Sequence, residues 1–316
     1  MHDEFSSEPQ FAKSTAICRR LGDPAPPPGD RPTAADRKAL KGCDSEKLYY
    51  GEGSKPDYVK ARKCAFIEAE GEDNEDFAGS TILMQVYANG LGVGRNLDLA
   101  TAYACQLNAA PAEYDGRVLH LQSLKTKPGH FDYCNDITSG MAEGECESLA
   151  SDQAAVGRDA RLKALQDKLP PAGKLAYPAM KTAFDAFVDA HGDEVDQSGT
   201  ARAAETIDEQ DAVRNQFVRD LARLTSGAWP KADAADAKAA DAALNASYRK
   251  ALAWAAGKDN YSTIKPDDIR KTQRVWLTYR DAYVRFAAAA APTVSAEAVA
   301  ARLTRLRTAQ LDQDSN

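Results

Sequence analysis

The chain has 316 residues, of which 43% are hydrophobic, and a formal net charge of −7 at neutral pH. This length suits about two domains, and the composition is that of an ordinary globular protein. The negative charge disfavours nucleic acid as a partner, and no apolar run approaches the roughly 18 residues that a transmembrane segment needs.

The charge is unevenly distributed along the sequence. Residues 230–312 contain 14 Lys and Arg against 9 Asp and Glu, so the rest of the chain carries a net charge of −12. An acidic front segment would attract a basic partner electrostatically. The alternative explanation of this charge is solubility alone.

Residues 1–32 are predicted to form a Pro-rich leader or linker, which includes the run DPAPPPGDRP at 23–32. The first ten residues show no basic-then-apolar signal pattern. We therefore expect either a cytoplasmic protein or the mature form of an exported protein whose signal has been removed.

Residues 33–126 are predicted to form helix-pair repeats, because two similar segments recur at a spacing of 39 residues. The segments are LYYGEGSKPDYVKA at 48–61 and VYANGLGVGRNLDLA at 86–100. Glycine permits the positive φ that ends a helix, and an Asp or Asn then caps the next one. The predicted turn glycines are Gly51, Gly53, Gly90 and Gly92, and the predicted caps are Asp57 and Asn96. The pattern resembles the Sel-like repeat, a tetratricopeptide relative that implies a binding scaffold.

Two further helical segments are predicted at 127–228 and 229–316, divided at the break 227–230. The second contains the run KTQRVWLTYRDAYVRF at 271–286, whose large apolar residues recur on one helical face. Almost no segment of the chain alternates with period two, so the predicted fold class is all-α.

The sequence at 131–312 resembles two tandem copies of the N-terminal domain of LprI-type lysozyme inhibitors. In the second copy, the first motif is matched by Asp241, Leu244, Asn245 and Tyr248. The second motif is matched by Gln273, Arg274, Trp276, Arg280 and Asp281, and the last helix by Thr304, Arg307 and Leu311. In the first copy, Lys181 replaces the motif glutamine and Val188 the motif arginine.

The resemblance implies small helical modules whose motif residues tie neighbouring helices together. Their alternative role is direct contact with a partner. Because residues that recur within a chain usually specify its fold, we expect the partner contacts in loops that differ between the copies, notably 257–265.

The six cysteines all lie in the first half of the chain, form no CxxC pair and have no clustered histidines near them. This favours disulfides in an oxidising compartment over a zinc site, with buried free thiols in a cytosolic protein as the alternative. The LprI resemblance implies the pair Cys134–Cys146. The other four cysteines allow three pairings, of which we favour Cys43–Cys64 and Cys18–Cys105. A periplasmic or secreted protein is therefore predicted.

No catalytic or cofactor-binding motif is present, since GxSxG, HExxH, P-loop and GxGxxG patterns are all lacking. The acidic pair Glu143 and Glu145 is expected on a solvated face, and His120 is expected to pack or cap a helix. We therefore predict no enzyme, no cofactor and no metal.

The LprI resemblance implies a periplasmic or envelope protein that binds and inhibits a peptidoglycan hydrolase. It would act as a lysozyme inhibitor or as an immunity protein against a cell-wall-degrading effector. The alternative is a helical-repeat scaffold for protein–protein interaction in the bacterial envelope, in which the repeats bind the partner.

Overall fold

A computed structural model describes residues 8–51, 55–71, 79–258 and 260–314. These residues form thirteen α-helices and no β-strand, which confirms the all-α prediction. The Cα positions divide the chain into two compact units, Met1–Cys146 and Glu147–Asn316. The division into four segments stays a prediction. No described helix combines the length and the hydropathy that a membrane span requires.

The first unit is built from short helices around a core centred on its fifth helix. They are α1 (Ala12–Leu21), α2 (Ala34–Ala39), α3 (Ser45–Tyr50), α4 (Tyr58–Ala69), α5 (Ser80–Asn89), α6 (Leu97–Ala104) and α7 (Pro111–Ser123). Helix α5 packs against α4 and α6, and Ile82, Leu83 and Val86 on it are fully buried. Burial on all sides follows from its composition, since STILMQVYAN at 80–89 contains no charged residue.

Helices α3 and α5 end in the same way, 39 residues apart. Gly51 and Gly90 adopt left-handed conformations with φ of 79° and 69°. Asp57 then accepts a hydrogen bond from a backbone N–H at the start of α4, and Asn96 does the same at the start of α6. Both turns therefore stop one helix and start the next with the same two devices. The assignment to Sel-like repeats stays a prediction.

Gly92 is required for close approach as well as for its φ of 66°. A Cβ atom at this position would lie 2.9 Å from the carbonyl carbon of Tyr58, which only glycine avoids. Gly53, the fourth predicted turn glycine, lies outside the described residues.

Three disulfides join residues of the first unit. They are Cys18–Cys105, Cys43–Cys64 and Cys134–Cys146, with Cα–Cα distances of 5.7, 6.0 and 5.7 Å. These are the pairs favoured from the sequence. Disulfides persist in oxidising compartments, so they point to an extracellular or periplasmic protein.

The second unit contains the long helices. They are α8 (Gly140–Asp167), whose first residues precede the division, α9 (Pro171–His191), α10 (Arg202–Ser226), α11 (Ala234–Ala255), α12 (Pro266–Ala290) and α13 (Ala296–Asp314). Helix α12 packs most extensively on α9, and α11 on α13. Aromatic rings fill the centre, where Phe184 stacks on Phe217 at 4.1 Å and Phe187 on Tyr279 at 5.6 Å between ring centroids.

Candidate functional site in the second unit

Three of the motif residues, Leu244, Trp276 and Leu311, form part of the apolar core. Leu244 and Trp276 are 4% and 2% exposed, and Tyr248 is half-buried at the edge of the same cluster. Leu244 lies on α11 and Trp276 on α12, so the two residues help to hold these helices in one core.

Arg280 covers the tryptophan from the solvent side. Its guanidinium carbon lies 5.3 Å from the centroid of the Trp276 ring, in the geometry of a cation–π contact. It also forms ion pairs with Asp241 at 3.5 Å and Asp281 at 3.1 Å, whose side chains are each 55% exposed. Because exposed ion pairs contribute little, the contact with the tryptophan is the main structural role of Arg280.

Asn245 is a motif residue that the structure does not bring to this cluster. It is exposed, and its amide donates to the backbone carbonyl of Asp241 in the same helix at 2.8 Å. This bond is local to α11, so Asn245 does not connect helices.

A buried ionic cluster includes Gln273, which lies on α12 about two turns before Arg280. Arg307 on α13 donates two hydrogen bonds to Glu194, from Nη1 to Oε2 at 2.7 Å and from Nη2 to Oε1 at 2.5 Å. Both side chains have no exposed surface. The third bond, from Arg307 Nε to Gln273 Oε1, measures 3.1 Å. Planar bidentate pairing of this kind satisfies both charged groups where water is excluded.

His191 completes the buried cluster at the end of α9. Its Nδ1 lies 3.1 Å from Glu194 Oε2, and its Nε2 lies 3.7 Å from Glu209 Oε2. Burial lowers the pKa of His191, but the hydrogen bond to Glu194 and the nearby Glu209 carboxylate outweigh this effect, so the pKa lies above its ordinary value. Burial raises the pKa of Glu194, but the Arg307 charge and the His191 hydrogen bond outweigh it, so that pKa is lowered.

Sequence reasoning identified Gln273 and Arg307 but missed Glu194 and His191. Glu194 is 113 residues from Arg307, and no local pattern links positions so far apart. The only available signal was the spacing of three between His191 and Glu194, which is common in helices. The cluster shows that α13 is anchored to the segment after α9, outside the second predicted copy.

Replacement of His191 by glutamine should destabilise the second unit more at pH 6 than at pH 9. A raised pKa in the folded state means that the stabilising contribution is present below the ordinary histidine pKa of 6.5 and is lost as the pH rises through the folded value. Urea unfolding at both pH values, followed by tryptophan fluorescence, measures the difference. The matched control is His130→Gln, at an exposed position of the first unit. An equal loss at both pH values would contradict the assignment.

One group of potential metal ligands occurs among the described residues. It consists of Cys43, Cys64 and Glu68. Both cysteines are joined in a disulfide, so they offer no thiolate to a metal. Glu68 instead accepts hydrogen bonds from the backbone N–H groups of Ser45 and Gly79, at 2.9 and 3.0 Å.

Residues 231–311, which include α11, α12 and most of α13, match the family described as Lysozyme inhibitor LprI. The match covers one copy, so the tandem copy at 127–228 stays a prediction. Comparisons with curated proteins and with solved structures gave no match. The last quarter of the chain is thus similar to an inhibitor family rather than to a family of enzymes.

Proposed function

We propose that this protein is a periplasmic binding protein that inhibits a lysozyme-like peptidoglycan hydrolase. The observation that carries the proposal is the match of 231–311 to the LprI lysozyme inhibitors. The matched helices are well-formed, with Trp276 in the core and Arg307 in the buried ionic cluster. The three disulfides support an exported protein.

The charge of the first unit supports a basic partner. Residues 1–146 contain 16 Lys and Arg against 23 Asp and Glu, whereas residues 147–316 contain 24 of each. The net negative charge therefore lies entirely in the first unit. Lysozyme-like enzymes are often basic, and opposite net charges accelerate association at low ionic strength. An immunity protein against a delivered cell-wall hydrolase is a specific form of this proposal.

A muralidase assay tests the proposal directly. An excess of the full-length protein should slow the lysis of cell walls by at least one of several lysozyme classes. Its association rate with that enzyme should fall as salt is raised, because screening weakens the attraction. Reduced and alkylated protein measures the contribution of the first unit, because loss of the three disulfides should destabilise that unit. The proposal would be refuted if the protein neither inhibited nor bound any of the lysozyme classes tested.

A scaffold is the second candidate, and the two matching turns at 39-residue spacing favour it. In that function the helix pairs of the first unit bind an envelope protein. Cross-linking of the full-length protein to a partner captured from envelope extract distinguishes the candidates. Cross-links confined to α1–α7 would support the scaffold, and cross-links to the second unit would support the inhibitor.

A further inference from the structure

The most exposed large hydrophobic side chain among the described residues is Tyr261, at 91%. It lies in the connection between α11 and α12, within the LprI match. Single exposed apolar residues are common on protein surfaces, so exposure alone assigns no role to Tyr261. The second observation is the hydrogen bonding of the backbone around Tyr261.

Hydrogen bonds hold the chain on both sides of Tyr261. The Asn260 amide donates to the Ala255 carbonyl at 3.3 Å, and its Oδ1 accepts from the Ser262 N–H at 2.9 Å. The Ser262 hydroxyl accepts from the N–H of Ile264 at 3.1 Å, and Ile264 itself is buried. The tyrosine is therefore presented on a backbone whose conformation is fixed before any partner binds, which lowers the entropy cost of binding.

A second loop supports the first. The Asp196 carboxylate accepts hydrogen bonds from the N–H and the hydroxyl of Thr263, both at 3.0 Å. It also accepts from the N–H and the hydroxyl of Ser198, both at 3.0 Å. The Gln197 N–H in turn donates to the Thr263 hydroxyl at 2.7 Å. Residues 195–198 and 260–264 thus form one hydrogen-bonded pair of loops, which we name the double loop.

The double loop is anchored to the buried ionic cluster. Asp196 follows Glu194 by two residues, and Glu194 is held by both Arg307 and His191. The backbone N–H of Thr263, with the Ser198 bonds, keeps the pKa of Asp196 low, at about 2, so the carboxylate that joins the loops is charged at neutral pH. The loop that carries Tyr261 is thereby tied to the segment that follows α9.

We propose that the double loop, with Tyr261 at its tip, enters the sugar-binding cleft of the hydrolase. This inference rests on the proposed function. Besides Tyr261, the exposed side chains of the double loop are those of Gln197, Ser198 and Thr263, which are an uncharged amide and two hydroxyls. The Asp196 carboxylate is half-buried and accepts hydrogen bonds from Thr263 and Ser198. A cleft that binds saccharides offers hydrogen-bonding groups and apolar ring-stacking surfaces, which these side chains match. Tyrosine is also enriched among residues that dominate binding energy, because it buries much area at low entropy cost.

The test compares two exposed positions of the full-length protein against a hydrolase that the unmodified protein inhibits. Tyr261→Ala should weaken inhibition by about tenfold or more, the loss expected for a central aromatic anchor. Leu175→Ala is the matched control, because Leu175 is 85% exposed on α9. It lies 16 residues before the end of that helix, hence about 24 Å from it. This control should change inhibition by less than about twofold.

Two additional measurements show whether a negative result concerns the fold of the variant, the double loop or the cleft. Thermal unfolding of Tyr261→Ala should match the unmodified protein, because the side chain is outside the core. A peptidoglycan oligosaccharide should compete with the inhibitor for the enzyme. Inhibition retained within about twofold by Tyr261→Ala would overturn the double loop as the surface while leaving the proposed function intact. Absence of competition would overturn the cleft as the target. No inhibition by the unmodified protein would overturn both proposals.

Discussion

Replacement of Arg307 by methionine should destabilise the second unit by about 3–5 kcal/mol, the usual cost of breaking a buried ion pair. The change leaves the Glu194 carboxylate without its two charged hydrogen bonds, in a site with no solvent exposure. It also removes the donor to Gln273. Urea unfolding followed by tryptophan fluorescence measures this unit specifically, because Trp229, Trp254 and Trp276 all belong to it.

Arg280→Met is the matched control for this experiment. Arg280 is 21% exposed and its two carboxylate partners are 55% exposed, so its loss should cost roughly 1 kcal/mol. The double replacement Glu194→Gln with Arg307→Met should recover part of the lost stability, since it removes the buried carboxylate that Arg307 no longer pairs. If Arg307→Met costs no more than Arg280→Met, the buried cluster does not hold α13 in place.

Removal of the disulfide Cys18–Cys105 should destabilise the first unit by roughly 4–5 kcal/mol, and removal of Cys134–Cys146 by about 3 kcal/mol. The two bridges close loops of 87 and 12 residues. A longer loop gains more conformational entropy in the unfolded chain when its cross-link is lost. Calorimetry of the paired Cys→Ser variants measures the order of the two losses.

The control for the disulfide experiment is the unfolding of the second unit. All three bridges lie in the first unit, so the tryptophan-detected transition should stay in place in both variants. A larger loss for the short loop than for the long one would contradict the entropic explanation. It would indicate that local contacts around Cys134 and Cys146 dominate that bridge.

The positions of the helices were accessible from the sequence because their signals are local. The run at 271–286 has its apolar residues on one face, and Pro266 with Asp268 marks the start of α12. In the same way, Gly90 and Asn96 encode the stop of α5 and the start of α6 within seven residues. Helical periodicity and helix caps depend on residues that are close together in the chain, so they can be recognised in the sequence alone.

The contacts that each motif residue makes were harder to predict from the sequence than the positions of the helices. Trp276 and Arg280 lie four residues apart on one helix, which alone predicts their contact. Gln273 lies on a nearby turn, and its bond to Arg307 requires α13 to pack beside α12. Asn245 shows the limit of motif matching, because its hydrogen bond stays within α11.

The sequence by itself determined an all-helical chain and its turns, because both depend on residue type and local spacing. The pair Cys134–Cys146 was implied by the LprI resemblance, and the other two pairs were a preference among three pairings. Only the tertiary structure decided that Glu194 neutralises Arg307 across 113 residues and that Asp196 joins its loop to Thr263. The physical reason is the same in both cases. Such contacts form only after helices that are distant in the chain have packed together. The residues next to a carboxylate in a polar segment do not indicate which distant side chain it will bind.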